Sequence, residues 1–131
     1  MKEVLAAIRM NKINQTKKAL VDAGFPAFSA MRASGRGSRA VNLSVLEAIR
    51  DTPNLSSDEL ATISQGGRLF PKRLVSMVVT DAKVPELVNL LIKVNQTGTA
   101  GDGKIFVLPV TEVFRVRTGE TGEEAIDEMT G

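Results

Sequence analysis

Val84, Leu87, Val88, Leu91, Ile92 and Asn95 fall at i, i+3, i+4, i+7, i+8 and i+11. That spacing is one face of an amphipathic helix. Runs of strand type flank it, Leu74–Thr80 before and Ile105–Val110 after, with Thr80 or Asp81 placed to cap the helix. Pro109 donates no hydrogen bond, which puts it at a strand end or edge. The first third has the same grammar. Residues 3–9 read as a strand, with Arg9 interrupting its apolar run. Ile13, Thr16, Leu20 and Ala23 follow at helical steps, and residues 27–34 form a second strand of small residues, ending at Gly35. Asn11 is the expected N-cap of that first helix and Gly24 its C′ residue, with Pro26 just beyond. A β-α-β unit used twice predicts an α+β fold: a ferredoxin-like double βαβ with an antiparallel sheet and helices on one face. The other sheet face then needs cover, and a chain this small finds it by oligomerising.

The connection from Arg36 to Phe70 breaks the pattern. It far exceeds the ~12–15 residues usual for a loop without structure of its own. Val41, Val45, Leu46 and Ile49 predict a short helix within it, and Gln65-Gly66-Gly67 a flexible piece. A merely solvating loop has no use for Leu43, Leu46, Leu55, Leu60 and Ile63, so the expected role is a binding arm.

Absent residue types narrow the chemistry. There is no cysteine, histidine, tryptophan or tyrosine. Disulfides, thiolate nucleophiles, a Ser-His-Asp triad and histidine-based zinc sites are excluded. No catalytic residue and no metal ligand is assigned. No run of eighteen apolar residues occurs and the N-terminal stretch lacks a signal-peptide core, so a cytoplasmic protein without membrane insertion is expected. The 17 basic residues all lie at or before Arg117, and only ten of the 15 acids precede Glu120, leaving a balance of +7 before an acidic tail over 118–131. A basic body suits an anionic ligand.

Three segments carry features suited to phosphate. Gly35-Arg36-Gly37-Ser38-Arg39 follows a strand, with two glycines to turn amides outward and two arginines for charge. Gly98, Gly101 and Gly103 permit close backbone approach between helix and strand, with Asp102 and Lys104 beside them. No Ser or Thr follows Lys104 and a strand comes next, so this is not a Walker A loop. Arg115 and Arg117 share one side if their segment is extended.

Gly101-Asp102-Gly103-Lys104-Ile105-Phe106-Val107, followed by Arg115-Val116-Arg117-Thr118-Gly119-Glu120, resembles the C-terminal signature of PII signal-transduction proteins. The opening Met1-Lys2-Glu3-Val4, Gly24, Gly35-x-Gly37 and the strand after Phe70-Pro71-Lys72 match too, so the resemblance spans nearly all of a single domain, 1–131. It implies a trimer, as homotrimer or as hetero-oligomer with a paralogue. It implies ATP or ADP held between neighbours by Ser29, Gly35, Arg36, Gly37, Ser38, Gly101, Asp102, Gly103, Lys104, Arg115 and Arg117. Magnesium and 2-oxoglutarate are further candidate ligands, the latter at Arg39 and Lys72. The insertion 36–70 corresponds to the T-loop, which touches the target protein. Family members often carry Arg-Gln where this chain has Ser38-Arg39. Arg39 can grip a carboxylate but cannot ligate a cation. The long, tyrosine-free loop excludes tyrosine uridylylation. With Ala23-Gly24-Phe25-Pro26, it is similar to the nitrogenase-associated branch, which implies a nitrogenase component as target. Regulation of glutamine synthetase or of an ammonium transporter is the alternative within the family. An RNA-binding ferredoxin-like module is the alternative outside it, but the five aromatic residues are all phenylalanine and match no base-stacking strand motif. An enzyme on nucleotides would have to rest on Asp102, Lys104 or a metal-bound water.

Overall fold

The computed structural model describes residues 1–36, 56 and 69–126. The expected short helix near Val41–Ile49, the sites at Gly37, Ser38 and Arg39, and the last residues of the acidic tail lie outside them.

Four strands, β1 (Lys2–Arg9), β2 (Ser29–Gly35), β3 (Phe70–Val79) and β4 (Lys104–Pro109), form one antiparallel sheet in the order β2-β3-β1-β4. Helices α1 (Ile13–Asp22) and α2 (Val84–Asn95) are the two crossovers. Each crossover skips one strand, which is the split β-α-β arrangement the periodicity predicts.

Alternation along the strands decides what is buried. Val4, Ala6 and Ile8 of β1 and Val75, Met77 and Val79 of β3 point to the helices and pack with Leu20, Phe25, Leu87 and Leu91. The predicted stripe of α2 is therefore its core face, although Ile92 stays 43 % exposed. Asn95 ends the stripe buried. Its amide donates to Thr16 Oγ1 (3.2 Å) and to the Leu91 carbonyl (3.0 Å), joining the two helices by a satisfied polar contact.

Helix α1 ends as Gly24 predicts. Gly24 adopts φ +88, its amide donates to the Val21 carbonyl (3.1 Å), and the Phe25 amide donates to that of Leu20 (2.8 Å). This is a Schellman closure, with Phe25 and Leu20 as its apolar pair. The N-termini differ from expectation. One 3-10 turn, Met10–Lys12, precedes α1 without a side-chain cap, and Asn11 Oδ1 is buried with no partner among the described residues. A second 3-10 turn, Asp81–Lys83, precedes α2 and closes through the Lys83 amide on the Thr80 carbonyl (3.0 Å). Tight backbone turns thus take the place of Asn11, Thr80 and Asp81 as caps.

Strand β3 begins at Phe70, four residues before the predicted Leu74. Pro71 and two cations hide this stretch from an apolar pattern. It pairs with β2 through Gly35↔Phe70 and Ser34↔Pro71, whereas pairing with β1 stops at Arg9↔Lys72. Beyond Lys72, β3 has a neighbour on one side only among the described residues, and a proline is tolerated there. Pro109 likewise closes an edge strand.

The other sheet face carries Leu5 and Ala7 of β1, Leu74 and Val78 of β3, Met31 of β2, and Phe106 and Leu108 of β4. No helix among the described residues covers it. Phe106 remains 50 % exposed and Met31 46 %.

Candidate functional site

The loop between α2 and β4 is wound around one carboxylate. Gly98, Gly101 and Gly103 hold φ of +84, +99 and +112, the left-handed region that favours glycine. Those turns bring Asp102 back over the end of the helix. Its Oδ2 accepts from the Thr97 amide (2.8 Å) and the Gly98 amide (2.9 Å), and its Oδ1 accepts from the Thr97 hydroxyl. Burial pushes the Asp102 carboxyl up, but the Thr97 hydroxyl and amide, the Gly98 amide and the Arg9 guanidinium outweigh it and bring its pKa down to about 2. Gly103 serves the fold as well. A Cβ there would lie 1.8 Å from the Ala7 carbonyl oxygen.

Three cations stand beside this loop at one end of the open sheet face. Arg9, the last residue of β1, donates through Nη2 to Thr99 Oγ1 (3.0 Å), to the Ala100 carbonyl (3.0 Å) and to Asp102 Oδ1 (3.1 Å). Lys72 pairs with Arg9 across the strands, and its Nζ donates to the Gly101 carbonyl (3.0 Å). Burial first, then the Arg9 guanidinium, lowers the Lys72 pKa, with Asp102 opposing. Lys104 pairs with Ala7 and is exposed. Among the described residues, no hydrogen bond uses the amides of Gly101 or Asp102. Unspent amides on a loop of left-handed glycines, with Lys104 exposed beside it, make a candidate receptor for an anion with several oxygens, while Arg9 and Lys72 hold the loop's carbonyls. Both carboxylate oxygens of Asp102 are engaged, by Arg9, Thr97 and Gly98. Among the described residues no three acidic side chains gather to hold a cation.

The predicted residues fall into separate groups. Gly101, Asp102, Gly103, Lys104 and Lys72 come together. Gly35 ends β2 nearby, opposite Phe70 and 3.8 Å (as a virtual Cβ) from the Lys72 side chain, in ordinary strand geometry rather than a left-handed turn. Arg36 follows it, exposed. Ser29 does not join them. It opens β2, the far edge strand, roughly three interstrand spacings of ~4.8 Å from β4.

Arg115 and Arg117 also stand apart, on a small hairpin after the opposite end of β4. The Arg115 amide donates to the Glu120 carbonyl (2.8 Å), the Gly119 amide to that of Arg115 (2.7 Å), and Phe114 bridges Thr121. The segment is a turn, not the extended run that would set both arginines side by side. Arg115 is buried inside it, with Nη1 on Glu120 Oε1 (3.0 Å) and Nη2 on the Glu124 carbonyl (2.6 Å). Arg117 stands exposed at the tip. A groove of about 460 Å3 between α2 and β4, lined by Val88, Ile92, Ile105 and Val107, reaches the loop at Asp102 and Lys104.

Sequence reading missed Arg9, Thr97 and Thr99. Arg9 left a trace, as the one charge closing an apolar strand. Its partners are some ninety residues away, and nothing local announces them.

The family model described as "Nitrogen regulatory protein P-II" matches residues 1–120. Among curated proteins, the chain is 48% identical over 130 residues to "Nitrogen fixation nifHD region GlnB-like protein 2" of Methanothermococcus thermolithotrophicus, covering 96% of this chain and 98% of that one. It is 37% identical to "Nitrogen fixation nifHD region GlnB-like protein 1" of the same organism, over 93% of this chain and 99% of that one. Among solved structures, an Arabidopsis thaliana PII bound to citrate superposes with a TM-score of 0.70 at 30% identity, over 96% of this chain and 89% of that one.

Proposed function

The chain belongs to the nitrogen regulatory protein P-II family, and on that footing we propose that it senses ATP and ADP and regulates nitrogen fixation, without catalysing a reaction itself. The observation that carries this reading is the 97–104 loop, whose Gly101 and Asp102 amides are unspent while Arg9 and Lys72 hold its carbonyls, with Lys104 exposed beside it. A polyphosphate supplies the many oxygens that such a receptor can take. Gly35, Arg36, Gly37 and Ser38 complete the site in this reading, and Ser29, set apart from the loop in its own chain, comes to it from a neighbouring one. Arg115 and Arg117 belong to it through their hairpin, from a neighbouring chain. Their hairpin leaves the sheet at the end away from the loop, which favours a site shared between subunits. The uncovered apolar sheet face favours the same assembly, a trimer. Two nifHD-region relatives from one organism fit an assembly with a paralogue as well as a homotrimer.

The 36–70 segment, as T-loop, carries the signal to the target. The relatives' nitrogen-fixation naming favours a nitrogenase component over glutamine synthetase or an ammonium transporter. Magnesium arrives on the phosphates, since the described residues offer it no acidic cluster. The plant PII bound to citrate supports a carboxylate ligand, and 2-oxoglutarate at Lys72 and Arg39 fits that chemistry, with Arg9 a second cation nearby.

The test is calorimetric titration of the purified chain with ATP, ADP and magnesium, with and without 2-oxoglutarate. Saturable binding of either nucleotide, tightened by 2-oxoglutarate, is expected, with a coupling of ~1–3 kcal/mol. No nucleotide binding, alone or with a paralogue present, sinks the reading.

A further inference from the structure

We propose that Arg9 is the positioning residue of the nucleotide loop, the group that decides which way its amides face; this rests on the nucleotide-sensing reading above. The glycines that let the loop turn also make it indefinite. A peptide unit next to glycine rotates at little cost, because glycine occupies positive and negative φ about equally. The Ala100–Gly101 and Gly101–Asp102 units are both of this kind. Left to themselves, they present either carbonyls or amides to a ligand.

Arg9 and Lys72 remove that choice. Arg9 Nη2 holds the Ala100 carbonyl at 3.0 Å and Lys72 Nζ holds the Gly101 carbonyl at 3.0 Å. Each peptide is planar and trans, so a carbonyl drawn to one side sends the next amide to the other. Pinning those two carbonyls turns the Gly101 and Asp102 amides away from the cations, as a pair. Arg9 does more than Lys72. Two protons on Nη2 are shared among Thr99 Oγ1, the Ala100 carbonyl and Asp102 Oδ1, so one atom gathers three successive parts of the loop. The planar guanidinium suits that convergence, whereas an ammonium is a point charge. The side chain is only 9 % exposed, and its Nε is buried without an acceptor among the described residues. Gly101 supplies the φ of +99 that the seat needs, and a Cβ there would make only van der Waals contact with Nη2.

The test compares the intact chain with Arg9→Met and Arg9→Lys. It uses ATP and ADP calorimetry and amide exchange at Thr97 and Gly98, whose N–H groups Asp102 holds. Arg9→Met is expected to weaken both nucleotides at least tenfold and to speed that exchange at least tenfold in the nucleotide-free protein. Arg9→Lys is expected to recover the melting temperature, through its charge beside Asp102, but not the affinity. Wild-type affinity in Arg9→Met overturns the proposal. So does lost affinity with unchanged exchange, which makes Arg9 a direct ligand contact only. If Arg9→Met does not fold, Thr99→Val removes one acceptor at an exposed position. A threefold loss of affinity with faster exchange is then expected, and no change in either overturns the proposal. If the intact chain binds no nucleotide, the functional reading fails, while the exchange comparison still decides whether Arg9 orders the loop.

Discussion

At Gly103 the loop backbone passes so close to β1 that no side chain fits. The φ is +112 and a Cβ would meet the Ala7 carbonyl oxygen at 1.8 Å, backbone that cannot move without breaking the β1–β4 pairing. Gly103→Ala is expected to cost roughly 3 kcal/mol or more in denaturant unfolding. Gly119→Ala, at φ +75 with nothing within 4 Å, is expected to cost only ~1 kcal/mol. Equal costs would refute the close-approach account. Asp102 makes a second prediction at this scale. Its folded pKa of about 2 lies below the ordinary 3.8, so it stabilises the fold above that ordinary value. The contribution, about 1–2 kcal/mol once solvent screening is allowed for, fades as pH falls from near 4 through 2. Asp102→Asn should remove it and flatten the stability curve between pH 4 and 2. A curve of unchanged slope would show that Asp102 is not the group titrating. The glycine spacing was legible as a sign of close approach, but its object was not: Gly103 approaches the chain's own strand.

Among the elements, α2 and the close of α1 follow local rules. Period, Gly24 and Phe25 are enough to write them, since a Schellman closure needs only a left-handed residue and an apolar pair. The hairpin after β4 does not. Its buried arginine is held by Glu120 and by a carbonyl in the following 3-10 turn, Gly122–Ala125. Arg115→Met should therefore loosen the hairpin, with faster amide exchange at Gly119 and Gly122. The local cost should be about 1–2 kcal/mol, because Glu120 stays 40 % exposed and the pair is partly screened. Arg117→Met should leave that exchange unchanged. Unchanged exchange in Arg115→Met would mean that Arg115 has no structural role.

Among the described residues, the molecule has an apolar sheet face uncovered and its candidate ligand groups at opposite ends of the sheet. If the site forms between chains, Lys104→Ala and Arg117→Ala remove different halves of it. Each variant alone is expected to lose nucleotide binding. Unfolding and refolding them together in equal amounts should restore about one site in four, the fraction with a good half from each neighbour in a closed ring. No recovery in the mixture would place both halves in one chain.

The sequence by itself determined the β-α-β order, the core stripe of α2, the glycine closure of α1 and the family signature around Lys104. Each is a local matter of period, turn geometry or short motif, written within a dozen residues. Only the tertiary structure decided that Arg9 reaches the loop, that β3 extends back over Pro71 and that Arg115 turns inward. Those outcomes depend on strand register and on contacts between distant residues: a guanidinium finds the carbonyls that packing brings near it, and no local pattern encodes where those lie.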